Sequence, residues 1–393
     1  MSTNTTIALG RDTKVFAVKE AAVGVFEIPV NASLIVVTGG EIDVPNPAYE
    51  EDKSLRANRS TYGRFQGNTP PTPWKLSHYL RPSGTAGTAP EASDVLECVK
   101  GKKTVVGATS VAYDAQANKP SFSLYVKKGH TVFAAAGCAG NKINMKKDNK
   151  GILEANEDGQ AMKSIWTGTG ALGEEIVTTP APGSEEWFLV DDNKRFCTGS
   201  HVLIDTEQMQ VTGTFWEGTA GGSAGKIKLK RGYNSSAVAS HLNAAPITPW
   251  LPAGTELGAP LSSRVGTLTI DAVELPFTDL EFTDEDPSKM LEEEVTQSTT
   301  PTDFIEGEIK SSFNITIFFR KAQLLWFADA VKQVRKVAVI NYGSIAGKKI
   351  AVTLQSCEFD VPKVAGDKEL VKLTIPGRAY AVAGYDESQI KFL

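Results

Sequence analysis

One short pattern of residues occurs twice in this chain, and a repeat limits the folds open to it more than any other feature does. The first copy spans residues 120–147 and the second spans residues 312–340. Each copy predicts an alternating strand, then a run of small residues or a turn of amphipathic helix, and then a second strand that carries lysine. Because repeats define supersecondary units, we expect two related β-rich units in the chain.

Length and composition predict a globular protein of more than one domain. The chain has 393 residues, which exceeds what one ordinary core holds and predicts two or three domains. Hydrophobic residues make up 41% and charged residues 22%, the usual balance of a soluble protein. The net charge of −5 argues against a protein whose main task is to hold nucleic acid, because phosphate binding needs a basic face.

The cysteines and the first residues indicate where the chain is made. Cys98, Cys138, Cys197 and Cys357 lie far apart and form no CxxC pair, so we expect free thiols, as in a reducing cytoplasm. The first residues lack the basic and apolar segments of a signal peptide, and no apolar run approaches the roughly 18 residues of a membrane span. We therefore expect synthesis in the cytoplasm and no membrane partner.

Alternating segments of strand length dominate the chain, and most of them end at Gly, Pro, Asn or Asp. Asp158-Gly159 predicts a hairpin turn between two such segments. One helix is predicted, over Arg320–Val334. Its apolar stripe at helical spacing consists of Leu324, Leu325, Ala328 and Val331.

Two joints rich in Pro and Gly divide the chain into three predicted domains. The first comprises residues 1–170, and the third comprises residues 259–393 and holds the second copy of the repeat. Residues 171–258 between them predict an inserted small β-rich module.

A long irregular stretch is predicted in each outer domain, about 40–93 in the first and about 278–308 in the third. Loops of this length inside compact domains are usually functional or disordered. The first stretch has a basic run of Lys53, Arg56, Arg59 and Arg64, and the second has an acidic run of Asp284, Glu285, Asp286, Glu292, Glu293 and Glu294. These runs predict complementary arms that contact each other between neighbouring subunits. The alternative interpretation is a pair of solvated charged loops.

Motifs for catalysis or cofactor binding fail on their context. Residues 221–225 match the G-x-S-x-G pattern around Ser223, but a strand-like segment follows where a nucleophile elbow needs a helix. The only histidine after it is His241, with no acidic residue between them. The Gly225-Lys226 pair lacks the other positions of a phosphate loop, and Lys289 stands where a calcium loop needs Gly. We therefore expect no enzyme, no metal and no cofactor.

The chain as a whole resembles the tail tube (major tail) proteins of long-tailed bacteriophages. The resemblance is carried by patterns of strands and small residues at 89–103, 110–126, 134–151 and 164–170, and again at 306–363 and 369–382. In the middle, residues 185–213 and 226–248, with Arg-Gly-Tyr-Asn at 231–234 followed by His241, resemble a small β-rich module of phage tail and adhesin-type proteins.

The resemblance implies a mainly β fold with two β-sandwich tube-type domains, each with a short helix, and a small inserted module that decorates the outside. In this family the inner sheets of neighbouring subunits join into a barrel around a lumen, and the rings stack into a tube. Two such domains in one chain imply trimeric rings with pseudo-sixfold symmetry. The implied partners are further copies of the chain, the tape-measure protein and genomic DNA in the lumen, and the tail terminator and distal tail proteins. The implied location is the virion, in a siphophage-type tail, and we expect the lumenal strands to be net negative so that DNA passes without binding.

Other functions stay open at this level. A minor tail or receptor-binding protein would use the middle module on cell-surface carbohydrate, with Trp187, Trp216 or Trp250 as a platform. A β-rich hydrolase would use Ser223 or a cysteine. A tube of a contractile tail is the nearest alternative, because that distinction depends on a sheath protein.

Overall fold

The computed structural model describes residues 12–52, 63–147, 151–177, 181–214, 225–262, 264–292, 299–366 and 370–393. Strands dominate these residues, and the α-helices among them are two short ones. The mainly β fold class predicted from the sequence is confirmed. No helix in the described part of the chain is long and apolar enough to cross a membrane.

The N-terminal half of the fold contains twelve strands and one helix, α1. In chain order they are β1 (Thr13–Lys19), β2 (Leu34–Ile35), β3 (Val37–Ile42), β4 (Tyr49–Glu51), β5 (Arg64–Gln66), β6 (Thr72–Tyr79), α1 (Ser93–Lys100), β7 (Gly101–Val106), β8 (Ser110–Ala115), β9 (Phe122–Lys128), β10 (Thr131–Lys147), β11 (Leu153–Ala161) and β12 (Lys163–Thr167).

The middle of the chain forms a separate sheet. Its strands are β13 (Gly170–Ala171), β14 (Glu185–Leu189), β15 (His201–Ile204), β16 (Glu207–Thr214), β17 (Lys226–Lys230) and β18 (Pro246–Pro249). They pair in the order β13-β18-β15-β16-β17-β14, and their buried side chains form a core of their own. We call this unit the module.

The C-terminal half begins at Gly266. It contains β19 (Gly266–Ile270), β20 (Val273–Leu275), β21 (Asp279–Glu285), β22 (Ser288–Met290), β23 (Phe304–Glu306), β24 (Lys310–Phe318), α2 (Leu325–Val331), β25 (Lys336–Tyr342), β26 (Ile350–Phe359), β27 (Lys363–Gly366), β28 (Val371–Ala379) and β29 (Gln389–Phe392).

The two halves repeat one pattern of antiparallel pairing. In the N-terminal half, β1 pairs with β2 and β9, and β10 pairs with β9, β12 and β11. In the C-terminal half, β19 pairs with β20 and β25, and β26 pairs with β25, β29 and β28. The remaining pairs also correspond, because β6 lies between β3 and β11 as β24 lies between β21 and β28. Thus the single strand β10 corresponds to β26 and β27 together. The second half of β10 pairs with β11, whereas first β26 and then β27 pair with β28.

The same side-chain packing recurs at matching positions of the two halves. Trp74 of β6 lies opposite Gly159 of β11, and Phe313 of β24 lies opposite Gly377 of β28. A Cβ atom at Gly159 would lie 2.6 Å from Trp74, and one at Gly377 would lie 2.4 Å from Phe313. Both strands therefore use glycine because a bulky ring crosses the backbone there.

One long sheet connects the halves. Its strands run in the order β3-β6-β11-β10-β21-β24-β28-β27, and every neighbouring pair is antiparallel. Successive side chains of each strand point to opposite faces of the sheet, and one face is buried. In β6, for example, Trp74, Leu76 and His78 are buried and the residues between them are more exposed. A single hydrophobic core spans both halves, so they share their interior as well as a sheet.

Three sequence predictions were wrong in detail. The repeat aligned β9–β10 with β24, α2 and β25, whereas the pairings make β25–β26 the counterpart of β9–β10. Asp158-Gly159 lies within β11 and makes no turn, since Gly159 accommodates the ring of Trp74. The stretch 278–308 contains β21, β22 and β23, and the stretch 40–93 contains the second half of β3 and all of β4, β5 and β6, so neither is irregular throughout.

Candidate self-assembly surfaces

Two strand pairings join the halves, β29 with β8 and, within the long sheet, β10 with β21, which we call the joint. Asn144 lies opposite Thr283, and Lys142 lies opposite Glu285. On the solvent side of the sheet, Lys142 Nζ is 3.2 Å from Glu285 Oε1. Through this pairing the backbone hydrogen bonding of the long sheet continues from one half into the other.

Lys100, the last residue of α1, belongs to a buried ionic cluster at this joint. Its ammonium group donates to the carboxylate of Asp284 in β21 and, over 2.7 Å, to the hydroxyl of Ser388. The hydroxyl of Ser311 donates to the same carboxylate. The Lys100 and Asp284 side chains are only 2% and 3% exposed. Because a buried charge is tolerated only when it is paired, this cluster fixes α1 of one half to the sheet of the other.

A second buried ion pair crosses the joint beside the first. Lys119 Nζ lies 3.3 Å from Asp286 Oδ1 and donates to the carbonyl of Gly140 over 2.9 Å. Burial lowers the pKa of Lys119, although the charge of Asp286 opposes that shift. Burial likewise raises the pKa of Asp286, against the effect of Lys119. The Lys119 and Asp286 side chains are 0% and 8% exposed, so the pair is out of water and each partner depends on the other.

The predicted arm residues have different environments. Asp284 and Asp286 are buried within the joint, Glu285 is half-exposed and faces Lys142, and Glu292 is exposed. Arg64 is exposed, with its guanidinium 3.9 Å from the ring centroid of Tyr49. The remaining arm residues, Lys53, Arg56, Arg59, Glu293 and Glu294, lie outside the described residues. That these runs contact each other between subunits stays a prediction.

The two ends of the long sheet are the strands β3 and β27. Among the described residues, β3 pairs only with β6 and β27 pairs only with β28. Val364 of β27 is 56% exposed, and Asp43, just after β3, and Lys363 are exposed too. Unpaired edge strands of this kind are templates for pairing with another chain.

Helix α2 has its apolar stripe on the solvent side. Leu325 is 70% exposed and Val331 is 74% exposed, and Leu324 and Ala328 are exposed as well. The side chains that face the core are Ala330, Trp326 and Phe327, and the Trp326 ring stacks on that of Phe359, with centroids 5.9 Å apart. The stripe predicted from the sequence therefore does not bury α2 against its own half.

The corresponding helix α1 is covered on all sides. Both helices are followed by a residue with positive φ, Gly101 at 113° and Gln333 at 53°, so Val99 corresponds to Val331. Val99 is 2% exposed, because α1 packs against β7, β8 and β10. The β7–β8 hairpin has no counterpart after α2, which leads directly to β25. The side of α2 that corresponds to the covered side of α1 is therefore bare.

A cleft of about 320 Å³ lies beside α2. It is formed by the end of the helix, the end of β26 and the end of β28. Its lining residues are Ala330, Gln333, Glu358, Phe359, Asp360, Val361, Arg378 and Tyr380. Arg378 is exposed there and, among the described residues, has no ion-pair partner.

The module is held by a buried ionic cluster that the sequence indicated only in part. Glu207 accepts hydrogen bonds from Arg231 Nε and Nη2, both at 2.8 Å, and its Oε2 is 2.9 Å from His241 Nε2. The other ring nitrogen of His241 lies 2.7 Å from Asp205. The motif of Arg231 and His241 thus exists because both residues bind Glu207. Sequence reasoning missed Glu207, which lies in an ordinary-looking strand.

The structure gives the candidate catalytic residues little chemical activation. The four cysteines, all among the described residues, are buried and form no disulfide, and burial raises the pKa of Cys357 to about 12. A thiol of this kind stays protonated and unreactive at neutral pH. Ser223 lies outside the described residues. Within the described ranges no group of three or more His, Cys, Asp or Glu side chains is arranged to hold a metal ion.

Comparison of the chain with protein-family models and with curated proteins finds no match. The case for a function therefore rests on the chain's own residues and on their arrangement.

Proposed function

We propose that this chain is a structural subunit of a phage tail tube, which polymerises as stacked rings around a channel for DNA ejection. The observation that carries the proposal is that one joint between two like halves already exists inside the chain. The strands corresponding to the two sides of that joint, β27 and β3, lie at the far ends of the long sheet, and each has one edge without a partner strand among the described residues. A second copy would supply the missing partner at each end.

Repetition of this contact gives a closed assembly. Pairing of β27 with β3 of the next copy is a heterologous contact, which generates a ring when its rotation closes. Closure removes every free edge of the long sheet, and this is the usual solution to unpaired strands. Each chain supplies two like halves, so three chains form a ring of six halves with pseudo-sixfold symmetry. In this proposal each half is a β-sandwich and the long sheet lines the channel.

The charges on the solvent side of the long sheet suit a channel through which DNA passes. Lys142 is paired with Glu285, and Lys146 Nζ lies 3.9 Å from Glu154 Oε2. Because Lys142 and Lys146 have acidic neighbours, the positive charge of this face is interrupted, although Lys363 and Arg378 on the same face have no ion-pair partner among the described residues. The module, with its own core, would then decorate the outside. The tape-measure protein, the tail terminator and the distal tail proteins would be the other partners in the virion.

Electron microscopy of the purified chain, with light scattering for mass, tests this function. We expect stacked rings or tubes with a central hole wide enough for duplex DNA and a ring mass of three 42.1 kDa chains. Rings of six chains would keep the tube and contradict the use of both halves. A chain that remains a monomer, and whose module binds glycans on an array, would favour a receptor-binding tail protein instead.

A further inference from the structure

We infer that the cleft beside α2 binds a second copy of the chain, through the segment that follows β3 (residues 43–50), with Asp43 opposite Lys363. This inference rests on the proposed self-assembly and adds the site, the segment and the register. Its basis is the contact that fills the corresponding place inside the chain.

Inside the chain, the corner between β21 and β22 fills the place next to α1. The backbone N–H of Asp286 donates to the carbonyl of Asn141 over 2.8 Å, and that of Ser288 donates to Asn141 Oδ1 over 2.8 Å. Met290, which is 1% exposed, packs there on Ala139 and Met162. We call Ala139, Asn141 and Met162 of the N-terminal half the seat residues. The corner between β21 and β22 of the C-terminal half binds to them.

The strand registers place the cleft at the same position in the C-terminal half. Gly140 is opposite Gly159, as Phe359 is opposite the corresponding Gly377. A Cβ atom at Gly159 would meet the carbonyl of Ala139, and one at Gly377 would meet that of Glu358. Gly140 therefore corresponds to Phe359, and Gly159 corresponds to Gly377. By the same offsets the seat residues Ala139, Asn141 and Met162 correspond to Glu358, Asp360 and Tyr380. These three line the open cleft.

The registers also identify the segment that would fill the cleft. Phe282 of β21 is opposite Phe313, and Ile42 of β3 is opposite the corresponding Trp74. Counting on from these residues aligns the corner of Asp286-Pro287 with Asn46-Pro47. Each proline is followed by a short two-stranded hairpin, β22–β23 in one half and β4–β5 in the other. The proline and the hairpin lie beyond the paired residues that define the alignment, so they support it independently.

Charge and exposure fit the resulting contact between copies. In the contact between copies, the facing positions that Asn144 and Thr283 have in the internal joint are taken by Lys363 and Asp43. Both of these side chains are exposed, and in the described part of the chain neither has an ion-pair partner. Opposite charges on directly facing residues stabilise antiparallel strands. At the cleft, Arg378, which has no ion-pair partner among the described residues, would face a segment that contains the exposed Glu50.

Disulfide formation between copies tests the register directly. The double variant Asp43→Cys/Lys363→Cys places two thiols in facing positions, and Glu41→Cys/Lys363→Cys is the matched control, two residues away on the same side of β3. The four native cysteines are buried and give little background. Within one chain the two sites stand at opposite ends of the sheet, on the order of 30 Å apart, so a bond between them must join two chains.

We expect about tenfold more cross-linked chain from the facing pair than from the control after mild oxidation of assembled protein, because disulfides require Cα atoms within about 7 Å. Equal or greater cross-linking of the control would overturn the register while leaving the tube itself in place. If wild-type chains never associate, the proposed function falls and this inference falls with it. A charge exchange gives a second readout: Lys363→Asp and Asp43→Lys should each weaken assembly, and the double variant should restore it. Circular dichroism of each variant checks that it folds, and a folded double variant that fails to recover contradicts the contact.

Discussion

Trp74 and Phe313 occupy the same position in the two halves, and each ring lies across a glycine of the neighbouring strand. The carbonyls of Ala139 and Glu358, which close the same two spaces, also correspond. Agreement of ring, glycine and carbonyl at one place goes beyond a shared order of strands. The halves are therefore repeated down to the packing of individual side chains.

This packing predicts that Gly159→Ala is strongly destabilising. The new Cβ atom would lie 2.0 Å from the carbonyl oxygen of Ala139, so the backbone must shift. We expect the free energy of unfolding, measured by urea denaturation, to fall by about 3 kcal/mol or more, the upper end of overpacking costs. Gly107→Ala is the control, because nothing lies within 4 Å of the added atom. Similar losses from both substitutions would contradict the explanation.

The sequence predicted the existence of the repeat and the abundance of strands, but not the alignment. Its clearest common feature, Phe followed by alternating residues, occurs at the start of β9 (Phe122) and inside β24 (Phe313), and these two strands are not counterparts. The aligned residues differ chemically, as with Trp74 and Phe313, so no identity marks the true register. Only the hydrogen-bonded pairings reveal it.

The sequence did not predict two further features of the structure, helix α1 and the burial of two acidic residues, and each has a physical reason. Helix α1 has only eight residues, so its apolar positions Val95, Leu96, Cys98 and Val99 recur over little more than two turns, a shorter window than the helical period needs to be recognised. Asp284 and Asp286 belong to a charged run, and such a run in a sequence predicts exposure to solvent. Their partners Lys100 and Lys119 lie 184 and 167 positions away, a distance that local patterns do not span.

The buried pair of Lys119 and Asp286 predicts a large effect of Asp286→Ala. Removing the carboxylate leaves the ammonium group of Lys119 buried without its counter-charge, which typically costs about 3–5 kcal/mol. We expect that loss in the free energy of unfolding. Glu308→Ala is the control, because the pair of Lys310 and Glu308 is exposed and its loss should change stability by less than about 1 kcal/mol. The double variant Lys119→Met/Asp286→Leu should recover most of the loss, since neither charge remains.

The two helices allow a matched comparison at Val99 and Val331. Val99→Ala removes two buried methyl groups and should lower the free energy of unfolding by about 2 kcal/mol. Val331→Ala removes exposed groups and should change the stability of the monomer by less than about 0.5 kcal/mol. The intrinsic helix propensity changes equally in both variants and cancels. If the bare side of α2 contacts another copy, Val331→Asp should leave the monomer folded and reduce ring formation; unchanged rings would show that this side stays open.

The predicted basic arm is tested by reversing Arg56, Arg59 and Arg64 to Glu. If the basic and acidic runs bind each other between subunits, the triple variant should fail to assemble while its circular dichroism spectrum stays that of the wild type. Asp284, Glu285 and Asp286 are already engaged within the chain, so the acidic partner would consist of Glu292, Glu293 and Glu294. Reversal of those three to Lys, combined with the triple variant, should restore assembly. Normal rings from the triple variant alone would favour two solvated loops.

Glu207 should make the stability of the module depend on acid. Burial favours the protonated form, but hydrogen bonds from Arg231, His241 and the backbone of Ala239 and Gly232 outweigh it and lower the pKa of Glu207 from 4.5 to about 2. A carboxylate whose pKa is lower in the folded state stabilises the fold above its unfolded pKa, and this contribution is lost as pH falls through the folded value. The stability of the module should therefore decline between pH 4.5 and about 2, by on the order of 3 kcal/mol from this group.

Calorimetry of the full chain at several pH values would measure this decline, and Glu207→Gln isolates it. The amide keeps the size of the side chain but cannot be ionised, so the variant should be less stable at pH 6 and should lose less stability on acidification. Glu256→Gln is the control, because the Glu256 carboxylate is 66% exposed and lies 3.7 Å from its partner Arg81. A Glu207→Gln chain that keeps the full acid dependence of the wild type would assign that dependence to other groups. In that case the cluster around Arg231 would hold the module through shape and hydrogen bonding, without a contribution from the charge of Glu207.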